Sequence, residues 1–331
     1  ASVPGIRAGI TPEQRTLSAA LEMANTHPSK QIVVRLRESE QSDAVDAIID
    51  VKDQRPWKLF AGLNNIGTKK TKRTRATIGG QHTNLFNRDH SMTVSYTTSP
   101  ENQRNVMQAG ASYELPLYAA KGRLSAFFSE SDVNVGEIAG FQVSGAGRFI
   151  GLSFTRILGR LGAYSHEWNL GLQDRFFEST VDFVVPGFRI PIGNNVRSYP
   201  VTVGYKGKYE AAGWIGDFGV DYSRNLGVGK RNDVFSYAAA RGGADPDWDA
   251  VRFNANLNYF LPKNWLLRTQ LNGQWTNEPL ISGEQFGLGG ERSIRGLDER
   301  SVLGDSGYRV GVEIWTPPIP KTFGLRLLTF V

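Results

Sequence analysis

The sequence contains no cysteine. Disulfide frameworks, thiolate metal sites and cysteine nucleophiles are therefore excluded. Histidine is scarce: His27, His82, His90 and His166 are scattered, and no spacing suits a metal or catalytic cluster. No run of about 18 apolar residues occurs, which excludes a bilayer-spanning helix. Zinc-finger spacing, a basic helix and RNA-binding signatures are missing, so the net charge of +6 is not expected to serve nucleic acid. No Gly-x-Ser-x-Gly occurs and no Ser/His/Asp set assembles. Gly287-Leu288-Gly289-Gly290 lacks the strand–helix context of a nucleotide loop. Asp245, Asp247 and Asp249 lack the glycine and glutamate that complete a calcium loop. No catalytic residue, metal or cofactor is expected.

What the chain has in quantity is glycine, 37 of 331 residues, and aromatics, 11%. Disorder does not fit that composition. Charge is divided unevenly. Residues 1–56 carry seven Lys/Arg and eight Asp/Glu; the remainder carries 31 against 24.

The first 56 residues read as α+β. Thr11-Pro12-Glu13 has the form of a helix start, with a capping residue and a proline at the first helical position. Leu17, Leu21 and Ala24 follow at helical spacing, up to Pro28. Two strand-like runs come next, residues 31–37 and 44–51, around a polar turn from Ser39 to Asp43. Pro56 closes the unit.

From Trp57 to Val331 alternation replaces helical periodicity. Val251, Phe253, Ala255, Leu257 and Tyr259 alternate with Arg252, Asn254, Asn256 and Asn258. Trp265, Leu267, Leu271 and Trp275 alternate with Arg268, Gln270, Asn272 and Gln274. The runs approach the 9–11 tilted residues that cross a hydrocarbon core, and aromatics gather at their ends as a girdle would. Short links alternate with long ones (Val135 to Gly147, Val184 to Ser198, Leu226 to Asp247), the asymmetry of outer-membrane barrels. Eleven strands are expected before Gly283, starting near Trp57, Thr74, Ser91, Asn105, Gly122, Gly147, Tyr164, Tyr199, Gly213, Asp249 and Asn264. After a long connection, two more follow at Gly307 to Trp315 and Leu325 to Val331. The competing reading is a soluble β-sandwich or a large soluble barrel; a sandwich would bury the apolar faces. Lys69-Lys70-Thr71-Lys72-Arg73 is a basic turn between the first two strands.

The long connection contains Ile294-Arg295-Gly296-Leu297 and ends in Gly304-Asp305-Ser306-Gly307-Tyr308. It resembles the Val/Ile-Arg-Gly-Tyr/Phe loop of the BamA-like outer-membrane assembly and secretion superfamily, departing at Leu297. With its flanking glycines it looks most like the two-partner secretion transporters of TpsB type. That resemblance implies an all-β transmembrane barrel of sixteen strands, of which about thirteen are present here. The N-terminal helix and hairpin resemble the latter part of a POTRA domain, and the chain is then expected to be a partial one. Residues 1–56 would be the C-terminal part of the POTRA domain and residues 57–331 the barrel.

The resemblance further implies an outer-membrane location in a Gram-negative bacterium, with the POTRA segment periplasmic. The expected partners are a secreted exoprotein (a large β-helical adhesin, haemolysin or contact-inhibition toxin) and outer-membrane lipid with lipopolysaccharide. A monomer is expected. Alternation places Arg309, Gly311 and Glu313 inward, and Phe330 inward on the next strand. Arg295 is thus expected to stack on Phe330 and reach either Glu313 or the aspartate that the superfamily's Phe-x-Asp-x-Gly strand motif, begun here by Phe330, implies, with Gly296 permitting a tight turn. Residues Ile32, Val33, Val34, Arg35 and Leu36 form a candidate strand for clients that bind by strand addition. The alternatives are a BamA-like insertase and, more remotely, a passive porin.

Overall fold

The computed structural model describes the chain apart from residues 1–5, 7–8, 10–12, 40–43, 68–70, 104–105, 133–134, 139–140, 145, 179–181, 186–187, 192–193, 291–292 and 323. For residues 14–15, 135–138, 141–144, 182–185 and 188–191 only the backbone is described. No described helix is long and apolar enough to cross a membrane.

The chain opens with α1 (Gln14–Asn25) and the antiparallel pair β1 (Lys30–Glu38) and β2 (Val45–Asp53). Ala20 and Ala24 bury against Ile32, with Leu17, Leu21 and Val34 closing over them, so the helical stripe has a sheet to cover. The helix starts later than the Thr-Pro pair suggests. Thr11 and Pro12 lie outside the described residues, and Glu13 is the N-cap. Its carboxylate accepts a hydrogen bond from Thr16 Oγ1 at 2.8 Å.

The long strands follow as β3 (Trp57–Asn64), β4 (Arg75–Leu85), β5 (His90–Thr98), β6 (Met107–Leu117) and β7 (Gly122–Ser131). After the small hairpin β8 (Val135–Ile138) and β9 (Phe141–Ser144) come β10 (Gly147–Leu161) and β11 (Tyr164–Phe177). A second hairpin, β12 (Asp182–Val185) and β13 (Phe188–Pro191), precedes β14 (Val196–Ser198), β15 (Pro200–Ala211) and β16 (Trp214–Asn225). Helix α2 (Val234–Ala240) leads to β17 (Asp249–Leu261) and β18 (Trp265–Trp275). The short β19 (Phe286–Leu288) and β20 (Val302–Gly304) pair with each other before β21 (Gly307–Trp315) and β22 (Leu328–Phe330).

Thirteen of these strands form one antiparallel path in chain order, from β3 to β22, with β14 paired on β11. The observed starts of the first eleven lie within two residues of those expected. The thirteenth is shorter than expected, because Leu325 instead closes a turn, accepting from Ile319 N and donating to Thr322 O. Two links read as loops from sequence, after β7 and after β11, hold hairpins instead.

Register confirms the two faces. Val220 stands between Tyr205 and Phe253, all apolar and outward. Asn254 stands between Gly219 and Asn272 on the lumen side. Outward Leu172, Val203 and Val310 are about half exposed, which in water would be an unusual apolar surface. Inside, Arg123 bridges Glu114 at 3.7 Å and Glu167 at 3.2 Å.

Two packing centres cap the wall. At the short-turn end the N-terminal unit docks on the turn between β4 and β5. Lys30 Nζ meets Asp89 Oδ1 at 2.6 Å, Tyr118 OH donates to Asp89 Oδ2 at 2.7 Å, and the Ser29 and Thr83 hydroxyls lie 2.7 Å apart. Gly159, at a bulge of β10, takes φ +93° and touches α1 closely: a Cβ there would lie 3.3 Å from Ala19 Cβ. At the long-loop end Phe149, Phe177, Tyr237, Trp248, Leu280 and Ile281 form a buried apolar cluster. Burial pushes the Tyr237 phenol up to about 12. Its oxygen accepts from Trp248 Nε1 at 3.2 Å.

Val220→Arg, near the middle of β16, is expected to cost about 2–4 kcal/mol of bilayer folding free energy. Asn254→Gln, facing the lumen, is expected to stay within about 0.5 kcal/mol. Equilibrium folding into lipid vesicles measures both, and equal effects would overturn the assignment of faces.

Candidate functional site

The segment from Thr276 to Ser306 joins two neighbouring wall strands yet is far longer than a hairpin needs. Its ends are tied at the rim, where Thr276 N donates to Ser306 Oγ at 2.9 Å. The β19–β20 pair carries it inward. Gly289 (φ +117°) turns it where a Cβ would lie 2.1 Å from Asp298 O, and Gly296 (φ +95°) forms the tip in open space. Only the backbone angle demands glycine at 296.

The tip reaches a side chain deep on the inner wall. Glu313 lies six residues along β21 from the rim at Gly307, a descent of about 20 Å along the strand. Arg295 Nη2 donates to Glu313 Oε1 at 2.5 Å, and its guanidinium lies 4.5 Å from the Phe330 ring centroid. Trp315 Nε1 donates to the other carboxylate oxygen at 2.9 Å, and Arg268 Nη1 stands 4.0 Å from it. Glu313 is 5% exposed. A buried carboxylate requires such partners, since leaving it unpaired costs several kcal/mol. Register explains the meeting: Glu313 is opposite Arg268 on β18 and Phe330 on β22.

Ile294 and Leu297 do not join this cluster. Their side chains are about two-fifths exposed, and their backbones form the turn, with Leu297 N donating to Ile294 O and Gly290 N to Leu297 O.

A second set of bonds holds the same segment near the rim. Arg241 Nη1 meets Asp305 Oδ1 at 2.5 Å and Leu280 O at 2.6 Å; Leu280 N and Gln285 Nε2 each donate to Asp305 Oδ1 at 3.0 Å. Burial favours the neutral acid at Asp305, but the Arg241, Leu280 and Gln285 hydrogen bonds outweigh it and hold its carboxyl below the usual value of 3.8. Buried Glu284 accepts from Arg175 on β11 at 2.5 Å and from Arg252 on β17 at 3.1 Å. Strands far apart in the path thus converge on one loop, as a wall curled around it requires. The motif pointed to none of Arg241, Glu284, Arg175 and Trp315. Alternation put Arg252 and Arg268 inward, and nothing in the sequence marked their partners.

The other candidate strand is separate. Ile32 is buried on α1, Val34 is half-buried, Val33 and Leu36 are exposed, and Arg35 bonds Asp50 at 2.5 Å. Along its length β1 pairs with β2. Ile32 N donates to Asn25 Oδ1 at 2.7 Å and Ile32 O accepts from Asn25 Nδ2 at 2.9 Å, so this rung points away from β2. Val34 and Leu36, of the same parity, point their backbone the same way. Among the described residues no strand pairs there.

Of the remaining features, Asp247 binds Arg224 at 2.8 Å and Asp249 accepts from Tyr222 OH at 3.1 Å. Gly287 lies in the β19–β20 hairpin. Lys69 and Lys70 of the basic turn fall outside the described residues. Among the described residues no group of three or more His, Cys, Asp or Glu could hold a metal.

The family model for haemolysin secretion/activation proteins ShlB/FhaC/HecB matches residues 44–331. The chain belongs to the haemolysin secretion/activation family. Among curated relatives, the outer membrane transporter CdiB-2 of Burkholderia pseudomallei is 23% identical over 312 residues, which cover 92% of this chain and 52% of that protein. Among solved structures, CdiB from Escherichia coli aligns with TM-score 0.75 and 16% identity over 99% of this chain and 60% of that one. CdiB from Acinetobacter baumannii gives 0.71 and 17%, over 96% and 57%. BamA from Haemophilus ducreyi lacking POTRA domains 1–3 gives 0.56 and 13%, over 99% and 67%. These similarities show a barrel fold nearer to CdiB than to BamA. The chain spans about half the length of its curated relative. Membership of the haemolysin secretion/activation family and the strand-crossed wall place it in the outer membrane.

A double-mutant cycle with Arg295→Ala and Glu313→Ala is expected to return a coupling of about 1.5–3 kcal/mol, the range for hydrogen bonds to charged groups. Urea unfolding in bilayers reads it, and additivity would overturn the contact. Asp305 supplies a pH test. Its folded pKa lies below its unfolded one, so its stabilisation is present above about pH 4 and lost as pH falls through the folded value. The thermal stability gap between wild type and Asp305→Asn should therefore close on acidification below that point and stay constant from pH 5 to 7.

Proposed function

We propose that this protein is a two-partner secretion transporter: it captures an unfolded exoprotein in the periplasm and passes it outward through its barrel without ATP. The observation that carries this reading is the Arg295–Glu313–Phe330 contact, which pins a long loop inside a polar lumen. A passive pore has no use for a loop bound across its lumen by a buried ion pair. A path for an extended chain that must stay shut until engaged does. Breaking one buried contact releases the tip while the rim bonds at Asp305 and Glu284 keep both ends of the loop attached.

The N-terminal unit supports the same reading. Its helix and two-stranded sheet suit the latter part of a periplasmic POTRA domain, and the outward rungs of Val34 and Leu36 suit an extended client that adds as a strand. It sits against the short turns, the periplasmic end of outer-membrane barrels. The proposed clients are large β-helical adhesins, haemolysins or contact-inhibition toxins. The activity proposed is transport by a monomer, with no catalytic step.

Deleting the gene should remove one large protein from the culture medium and leave the outer-membrane proteome unchanged. Quantitative proteomics of both fractions checks this. A broad fall in outer-membrane barrels would instead support an insertase, and no change in either fraction would support a porin. Complementation with Arg295→Ala should restore the barrel to the membrane but not the secreted protein.

A further inference from the structure

The outer face of the wall carries a cationic cluster that the transport reading does not use. Alternation along β11 puts Leu170, Leu172, Asp174 and Phe176 outward, with Phe176 at the long-loop rim. Two arginines lie over that ring. Arg197 Cζ lies 5.6 Å from its centroid and Arg231 Cζ 5.5 Å. Arg148 stands opposite it on β10. Arg197 also lies 5.6 Å from the Tyr199 ring. A guanidinium resting on an aromatic face is oriented in advance.

The charges around the ring do not balance. Asp174 is taken by Arg197, at 2.7 and 3.0 Å. Glu130 is the cross-strand neighbour of Arg148 without forming an ion pair with it. Among the described residues no ion pair holds Arg148 or Arg231, and Lys230 adds a further exposed cation. Directly toward the bilayer from this cluster, Ile150, Leu152, Leu170 and Leu172 present a continuous apolar column, each about half exposed.

A cationic ring set on top of an apolar column is complementary to one kind of molecule: an acylated lipid whose headgroup carries phosphate. A single guanidinium can bind phosphate through two parallel hydrogen bonds, and the column accommodates acyl chains. We propose that Arg231 on Phe176 and Arg148 on the neighbouring strand, beside the Arg197–Asp174 pair, bind the phosphate of an anionic outer-leaflet lipid. The inference rests on the outer-membrane barrel reading, because only there does this rim meet lipid headgroups.

The test uses protein extracted from outer membranes in mild detergent and native mass spectrometry with added lipid A. Bisphosphorylated lipid A should be retained, and dephosphorylated lipid A should bind at least tenfold more weakly. Arg148→Gln with Arg231→Gln should lose about tenfold in affinity, whereas Asn254→Gln in the lumen should not. Heat-modifiable migration on gels confirms that each variant is folded. Undiminished binding by the double variant overturns the proposal. So does full displacement by inorganic phosphate at the lipid's own concentration, since the acyl chains would then contribute nothing, or displacement by an acidic peptide, which would assign the patch to protein. Failure of the barrel to fractionate with the outer membrane would instead sink the transport reading. A correctly inserted barrel that ignores lipid A sinks this inference alone.

Discussion

A backbone amide facing hydrocarbon has no water to bond, so each strand of a membrane wall must give its N–H and C=O groups to neighbours. The rest of this structure depends on that constraint. It explains why the thirteen wall strands pair in simple chain order, and why side chains sort by parity alone. It also explains why the apolar residues look outward. The wall has lipid, not a second sheet, on that face. What remains for the interior is polar by necessity, and that polar interior is where a buried ion pair can be satisfied.

The folded-in loop exploits this interior at two depths. At the tip, Glu313 gathers Arg295, Trp315 and Arg268 around one buried carboxylate. At the rim, Asp305 and Glu284 collect Arg241, Arg175 and Arg252 from separate strands and a loop helix's end. The rim bonds close around the apolar cluster of Tyr237, Trp248 and Leu280, whereas the tip stands in the lumen beside exposed Ile294 and Leu297. Few apolar contacts hold the tip, so its position depends on charge and on the aromatic face of Phe330. The base of the loop is thus held by packing and ion pairs together, and its tip by charge and one aromatic face.

The two ends of the wall have different surroundings. Below, Asp89 and Thr83 tie the N-terminal unit to a short turn, which sets the open edge of β1 at the proposed point of client entry. Above, hairpins and α2 extend the wall beyond the bilayer, and arginines collect around Phe176 on its outside. The asymmetry follows from loop length, since only the long connections have enough chain to build a mouth.

Most of the wall was legible in the sequence because parity is a local signal: Val251 to Tyr259 against Arg252 to Asn258 declares both faces without any neighbour being known. Glycine at 296 and arginine at 295 were legible too, through the motif around them. The helix begins at Gln14, with Glu13 in the N-cap position, later than the Thr-Pro-Glu pattern suggests, and Thr11 and Pro12 lie outside the described residues. The hairpins after β7 and β11 were hidden because their short, glycine-broken runs carry too few alternations. The partners of Asp305 and Glu284 were invisible. Arg241, Arg175 and Arg252 lie 64, 109 and 32 residues from them along the chain. Pattern along the sequence determined which way each strand faces. Which charges meet was decided only by the curl of the wall, which brings distant strands around a single loop.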